Sequence, residues 1–264
     1  KLVAVLTGSR QSFSDVVGAE RVAGKRLPIV QVPTTAGTGS EVGTRALVTD
    51  VKAAAKRAVQ SLHMLADLAV IDPDLALGMP RSITVATGVD ALAHCVEAFT
   101  NKKAHPVIDL YALEGIRLAG RWLAKAADDG HDPDARAGMA LASLYGGYCL
   151  GPVNTAGGHA VSYPLGARYH VAHGAANALI FPHVLAFNAP ATPERTAAIL
   201  EALGLPVSTE PSKVFATAND WCVRLGCEMR MSAFGVPADD LPAMAGEAHA
   251  IRRLLDNNPR DLAE

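Results

Sequence analysis

Every stretch of this chain that reads as a β-strand lies before residue 73, and everything after Pro80 reads as helix. That segregation constrains the fold more than any single motif. Strands gathered at one end and helices at the other exclude an alternating, doubly wound sheet and indicate separate α/β and helical parts. The strand candidates are residues 27–33, bounded by prolines, then 46–50, 58–60 and 68–72. Residues 2–6 are apolar and fit a strand or the end of a helix, being too short for periodicity to arbitrate. Asp72-Pro73 marks a turn, and the boundary is placed there: an α/β part over 1–76 and an all-helical part over 77–264. Alanine and leucine at helical spacing predict helices over 84–101, 106–126, 133–150, 155–166, 174–187, 193–203, 210–226 and 239–255. Asp132 or Asp134 suits the cap of the third, and Gly204 the stop of the sixth. Pro182 is expected to kink the fifth or to begin a new helix. Four strands in so short a stretch make a thin sheet, too small for a whole dinucleotide-binding fold.

Composition removes several function classes. A formal net charge of −2 and a pI near 6.5 give no basic surplus for nucleic acid or an anionic membrane surface. No uncharged apolar run reaches the roughly 18 residues of a membrane-spanning helix. Cys95, Cys149, Cys222 and Cys227 lack CxxC spacing and read as reduced thiols of a cytoplasmic protein, with a zinc pair at Cys222 and Cys227 a minor alternative. The first residue is Lys1 rather than Met, which leaves the upstream sequence open.

The chemistry concentrates in two places. Residues 159–173 hold His159, His170 and His173 among glycines and small apolar residues. Upstream, Asp90 and His94 are four apart, hence on one face of a helix. Asp90, His94, His159 and His173 are expected to converge on one divalent ion, Fe2+ or Zn2+. Both ions accept imidazole and carboxylate donors and leave a position open for substrate. Singly, His94 and His159 read more readily as core residues with hydrogen-bonded nitrogens, and Asp90 as a cap or ion-pair partner; it is the four together that bring the metal reading level with that one. Tyr163, four residues after His159, faces the same cavity as a proton relay or as a wall of the substrate pocket. Pro164 places it near a helix boundary and favours the wall. His170 and His183 read as exposed or structural.

The second place is Pro33-Thr34-Thr35-Ala36-Gly37-Thr38-Gly39-Ser40-Glu41. Small hydroxyl-bearing residues after a strand let backbone N–H groups approach a phosphate or a nicotinamide. The stretch is not a full Gly-x-Gly-x-x-Gly fingerprint, and a simple β-turn fits it equally. Lys56 reads as a solvated lysine or as a contact to a ribose or phosphate oxygen.

Together these stretches resemble the iron-dependent (group III) alcohol dehydrogenase family. The resemblance rests on residues 33–41, on Thr87-Gly88-Val89-Asp90 through His94 and Glu97, and on His159 through His173-Gly174 with Ala176-Asn177-Ala178. Residues 182–188 and Asn258-Pro259-Arg260 extend it over nearly the whole chain. It implies that Asp90, His94, His159 and His173 are the four metal ligands. It further implies that Thr34, Thr35, Thr38 and Ser40 contact NAD or NADP, and that Lys56 lies near the cofactor ribose. The implied fold is a Rossmann-like α/β domain followed by a helical domain, as in dehydroquinate synthase, with the active site in the cleft between. The implied activity is reversible oxidation of a small alcohol, diol or hydroxy acid to its aldehyde or ketone, in a homodimer or larger homo-oligomer.

Three departures matter. Tyr163 stands where many members have a histidine, and Leu65-Ala66-Asp67 replaces Leu-Pro-Asp. The family's glycine-rich phosphate loop and much of its first domain would precede Lys1. The chain is therefore expected to be a fragment or truncated paralogue carrying an α/β remnant, with weak or no NAD(P) binding because the main phosphate donors are missing. A maleylacetate reductase-type relative is disfavoured by Gly37-Thr38-Gly39-Ser40 and the complete ligand set. A lyase of the dehydroquinate synthase type is disfavoured by the lack of a lysine and arginine cluster in the helical half. A non-catalytic metal-binding or oligomerisation module is the remaining alternative.

Overall fold

The computed structural model describes residues 1–24, 26–50 and 55–263; the side chains of Thr49, Ala55 and Lys56 fall outside that description. The first part holds helices α1 (Leu2–Leu6) and α2 (Phe13–Val16) and strands β1 (Gly18–Ala19), β2 (Val30–Gln31), β3 (Arg45–Asp50), β4 (Ala55–Gln60) and β5 (Leu68–Ala69). β3 and β4 form an antiparallel pair in which Arg45 faces Gln60 and Asp50 faces Ala55. β1 lies parallel to β4 on its other edge, and β2 pairs in parallel with β5 as a separate ribbon.

Two strands, β3 and β4, run longer than the sequence suggests, and the other two expected strands are shorter. Of residues 27–33 only Val30–Gln31 pairs, because Pro28 and Pro33 offer no N–H to a ladder. Residues 68–72 contribute Leu68–Ala69 alone, residues 2–6 resolve as helix, and β1 was not anticipated.

Beyond residue 80 the helices are α3 (Arg81–Thr100), α4 (Pro106–Asp128), α5 (Pro133–Leu150), α6 (Gly157–Tyr169), α7 (His173–Asn188), α8 (Pro193–Ala202), α9 (Pro211–Leu225), α10 (Leu241–His249) and α11 (Arg252–Leu255). Prolines open α4, α5, α8 and α9, where a missing N–H has no intrahelical partner to lose. Asp132 caps α5 by accepting from the N–H groups of Asp134 and Ala135. The predicted helix over 239–255 is broken into α10 and α11. Pro182 sits inside α7, and Pro164 sits buried inside α6. Tyr163 is thus in mid-helix and not at a boundary, since packing offsets the one hydrogen bond that Pro164 forgoes.

α3 is the axis of the helical part. It buries residues on every side and packs against α4, α5 and α7. Small residues make this possible: a Cβ on Gly88 would meet Leu123 of α4 at 2.3 Å. A helix surrounded in this way has no solvated face for its polar residues. Asp90, His94 and Glu97 of α3 are accordingly buried, and each needs a partner inside. Among the described residues, no helix is long and apolar enough to cross a membrane.

Candidate metal centre

Asp90, His94 and Glu97 are spaced four and three apart on α3, so all three emerge on one face. α6 brings His159 from its first turn, and α7 brings His173 from its first position and Asn177 one turn later. The ligand atoms of Asp90, His159 and His173 lie within 4.8 Å of one another. Asp90 Oδ1 is 3.5 Å from His159 Nε2 and 3.4 Å from His173 Nε2. His94 stands beside this group and is not in it: its Nε2 is 3.7 Å from Asp90 Oδ1, and its ring stacks on His159 at 4.9 Å. The structure thus brings three of the four expected ligands tightly together, with the fourth adjacent. The buried Nδ1 of His94 has no hydrogen-bond partner.

Glu97 is a residue whose role the sequence reading missed. Its Oε1 lies 2.6 Å from His159 Nδ1, and its carboxylate also accepts the backbone N–H groups of Ala156 and His159 at the start of α6. A carboxylate there holds a proton on Nδ1, so that when the ring is neutral its Nε2 lone pair is directed at Asp90 and His173. The available signal was its spacing: Glu97 is seven residues after Asp90, two turns along the same face.

The donor set suits a cation. The Asn177 amide nitrogen donates to Asp90 Oδ1 at 2.7 Å and lies 3.2 Å from His159 Nε2 and 3.3 Å from His173 Nε2. That nitrogen lies within hydrogen-bond distance of all three candidate ligand atoms, while the Asn177 Oδ1 is buried without a partner. Lone pairs so close repel one another unless a positive group lies between them. A divalent ion held by Asp90, His159 and His173, with His94 alongside, answers that excess.

Charges in the cluster are mutually adjusted. Burial opposes ionisation of Asp90, but the three imidazoles around it hold its carboxyl well below the usual range. Burial pushes His94 down to about 4, so it is neutral and able to ligate at pH 7. Burial also disfavours the charged form of His159, yet Glu97 and then Asp90 outweigh it and raise His159 well above its ordinary value. Glu97, buried as it is, is lowered in turn by His159.

The cluster opens into a cleft of about 660 Å³. Thr38, Gly39 and Ser40 line its other side, and the Ser40 N–H donates to Thr38 Oγ1 at 3.3 Å. Among the described residues, Thr34 and Thr35 stand outside this lining, exposed in the preceding bend, and the Lys56 side chain is outside the description. Tyr163 lines the cleft with its ring centroid 6.4 Å from that of His159 and 6.0 Å from that of His173. His170 is an exposed left-handed cap of α6, and His183 packs on Phe215; neither joins the cluster.

A buried carboxylate–histidine cluster on the helical part, facing a hydroxyl-rich loop of the stranded part, gives this two-part α/β and helical fold a candidate cation site. Residues 84–264 match the family described as Fe-containing alcohol dehydrogenase family, C-terminal, and residues 1–73 match iron-containing alcohol dehydrogenase. The chain belongs to the iron-containing alcohol dehydrogenase family. It is 37% identical to long-chain-alcohol dehydrogenase 1 of Geobacillus thermodenitrificans over all of this chain and 68% of that protein. It is also 37% identical to 1,3-propanediol dehydrogenase of Klebsiella pneumoniae, over 86% of this chain and 60% of that one. The crystal structure of a 1,3-propanediol oxidoreductase superposes with a TM-score of 0.93 at 35% identity, covering 98% of this chain and 69% of the other. Sulfoacetaldehyde reductase from Bifidobacterium kashiwanohense in complex with NAD+ gives 0.88 at 28% identity, over 98% and 68%. The chain therefore spans between 60% and 69% of the length of these relatives.

Proposed function

We propose that this chain forms the metal centre and one wall of the cofactor cleft of a nicotinamide-dependent oxidoreductase that interconverts a small alcohol and its carbonyl compound. The observation that carries the reading is the convergence of Asp90, His159 and His173 beside that cleft. A divalent ion at these donors supplies Lewis acidity toward a substrate oxygen, and nicotinamide supplies the hydride acceptor. Fe2+ is favoured by family membership, and Zn2+ suits the same donors. NAD is supported by the NAD+ complex of the related sulfoacetaldehyde reductase.

The chain's own residues have separable tasks. Asp90 brings the negative charge, and His159 is held by Glu97 in the tautomer that leaves Nε2 open. His94 stacks on His159 and restrains its ring. Thr38 and Ser40 present hydroxyls and backbone from the facing loop. Tyr163 borders the substrate space as a wall, and its hydroxyl is the protein group we assign to proton exchange with the alcohol. The names of the relatives span a long-chain alcohol, a diol and a sulfonated aldehyde, so membership alone leaves the substrate class open.

Metal analysis combined with 1,3-propanediol-dependent NAD+ reduction tests the reading. One iron or zinc per chain, lost in Asp90→Asn, together with turnover supports it. Metal without turnover makes the chain a metal-binding module, and absence of metal retires the proposal.

A further inference from the structure

The cleft that holds the histidine cluster is also lined by Lys1, Arg45 and Arg253, while its one carboxylate among the described residues, Asp90, faces the imidazoles. Lys1 Nζ is taken up by the backbone carbonyls of Ser40, Gly43 and Arg45. The two arginines are different. Arg45, at the start of β3, donates Nε to Gln60 Oε1 and Nη1 to Asn154 Oδ1, each at 2.8 Å, and both acceptors are neutral. Arg253, on α11, stands 5.9 Å over the Tyr163 ring. Among the described residues neither has a carboxylate partner, whereas Arg26, Arg168 and Arg195 each sit on one.

Two guanidinium groups sharing one cleft disfavour each other, and burial followed by the charge of Arg253 depresses Arg45 below its ordinary value. An anion entering between them removes that penalty. Guanidinium is shaped to grip an oxyanion through two parallel N–H···O bonds, which water and neutral amides match poorly. Tyr163 links the two groups: its ring centroid is 6.0 Å from that of His173 and 5.9 Å from the Arg253 guanidinium, and all three line the same cleft. A molecule whose hydroxyl reaches the donors lays its chain along that ring and brings its far end to the arginines.

We propose that the substrate is a short alcohol carrying an acid group, carboxylate or sulfonate, at the end away from the hydroxyl, and that Arg45 and Arg253 hold that group. This rests on the alcohol reading given above and narrows it.

The test is calorimetric titration of the metal-loaded protein with 4-hydroxybutyrate and with 1,4-butanediol, which has the same chain length and no charge. Metal stoichiometry is measured first on the same sample. The expected result is acid binding at least ~10-fold tighter than diol, as charge-assisted hydrogen bonds provide. Arg45→Gln and Arg253→Gln should each shrink that ratio, and the double variant should bring it near unity with diol affinity unchanged. Circular dichroism melting confirms that the variants fold. Equal binding of acid and diol by metal-loaded wild-type protein overturns the inference and leaves the alcohol reading standing. So does a double variant that keeps the acid preference while losing affinity for NADH, which would assign the arginines to a cofactor phosphate. A protein that takes up no metal overturns the alcohol reading itself, and this inference with it.

Discussion

The two halves of the molecule bury their apolar residues to very different extents. Among the described residues the main core cluster has 33 buried members, all but Ala36 lying after residue 84. Among the described residues the stranded half gathers only Val5, Val16, Val22, Val59 and Met64 into a core of its own, and leaves Leu47, Leu62 and Leu68 more than half exposed. The proposed metal donors all come from the close-packed half, and the hydroxyl-rich loop comes from the loose one. Ligand geometry that must hold to fractions of an ångström sits where side-chain positions are over-determined. A segment that must admit and release a large molecule sits where local opening costs least.

Four measurements break or sharpen that contrast. The largest effect is expected at Gly174, where a Cβ would meet the backbone oxygen of Ala86 at 2.1 Å. Gly174→Ala should lose about 3 kcal/mol or more in urea unfolding and displace His173, because backbone on both sides has no room to yield. A tolerated alanine would show that the α3–α7 contact is softer than described. Next, Leu123→Ala in the fully buried core should cost about 2–5 kcal/mol, while Leu68→Ala should stay within about 0.5 kcal/mol. Equal losses would erase the distinction between the halves.

Third, Glu97→Gln keeps the shape but removes the charge behind His159, and should weaken metal affinity by about 10- to 100-fold in equilibrium dialysis. Thr38→Ala, across the cleft, should leave it unchanged. A Thr38 effect as large as that of Glu97 would move the metal site out of the helical half. The smallest effect concerns Asp67, which accepts from Arg26 and from the Ile29 N–H and so has a pKa lowered to about 2. Unfolded, it titrates near ~3.9. The stabilisation is therefore present above about pH 4 and lost as pH falls through about 2. Melting temperatures of wild type and Asp67→Asn should differ slightly at pH 6 and converge by pH 2. A difference that persists in acid would sever the β2–β5 link from this ion pair.

How much could be read from the sequence follows the same division. The long helices were legible because alanine and leucine periodicity persists over many turns, and because Pro106, Pro133 and Pro193 mark their starts. The strands were legible as apolar runs but not in extent, since pairing depends on a neighbour's N–H and the prolines around β2 withhold theirs. Asp90, His159 and His173 were found because spacing and resemblance agreed. Glu97 was quoted without a role, as its work lies in contacting another helix, which no local pattern displays. Arg45 and Arg253 are more than 200 positions apart, and only the folded chain sets them around Tyr163. Pro164 misled because a buried proline can be carried through a helix when its neighbours hold it there.

Gly39 and Gly147 touch backbone to backbone: a Cβ on either would come within 2.3 to 2.5 Å of the other's main chain. One residue before Gly147, Gly146 lies against Ala91 and His94, where an added Cβ would meet the Ala91 oxygen at 3.1 Å and the His94 Cβ at 3.2 Å. No springy side chain intervenes along this line, so a nudge delivered at the hydroxyl-rich loop travels to the helix that carries Asp90 and His94 as a rigid push, much as a rod transmits what a cushion would absorb.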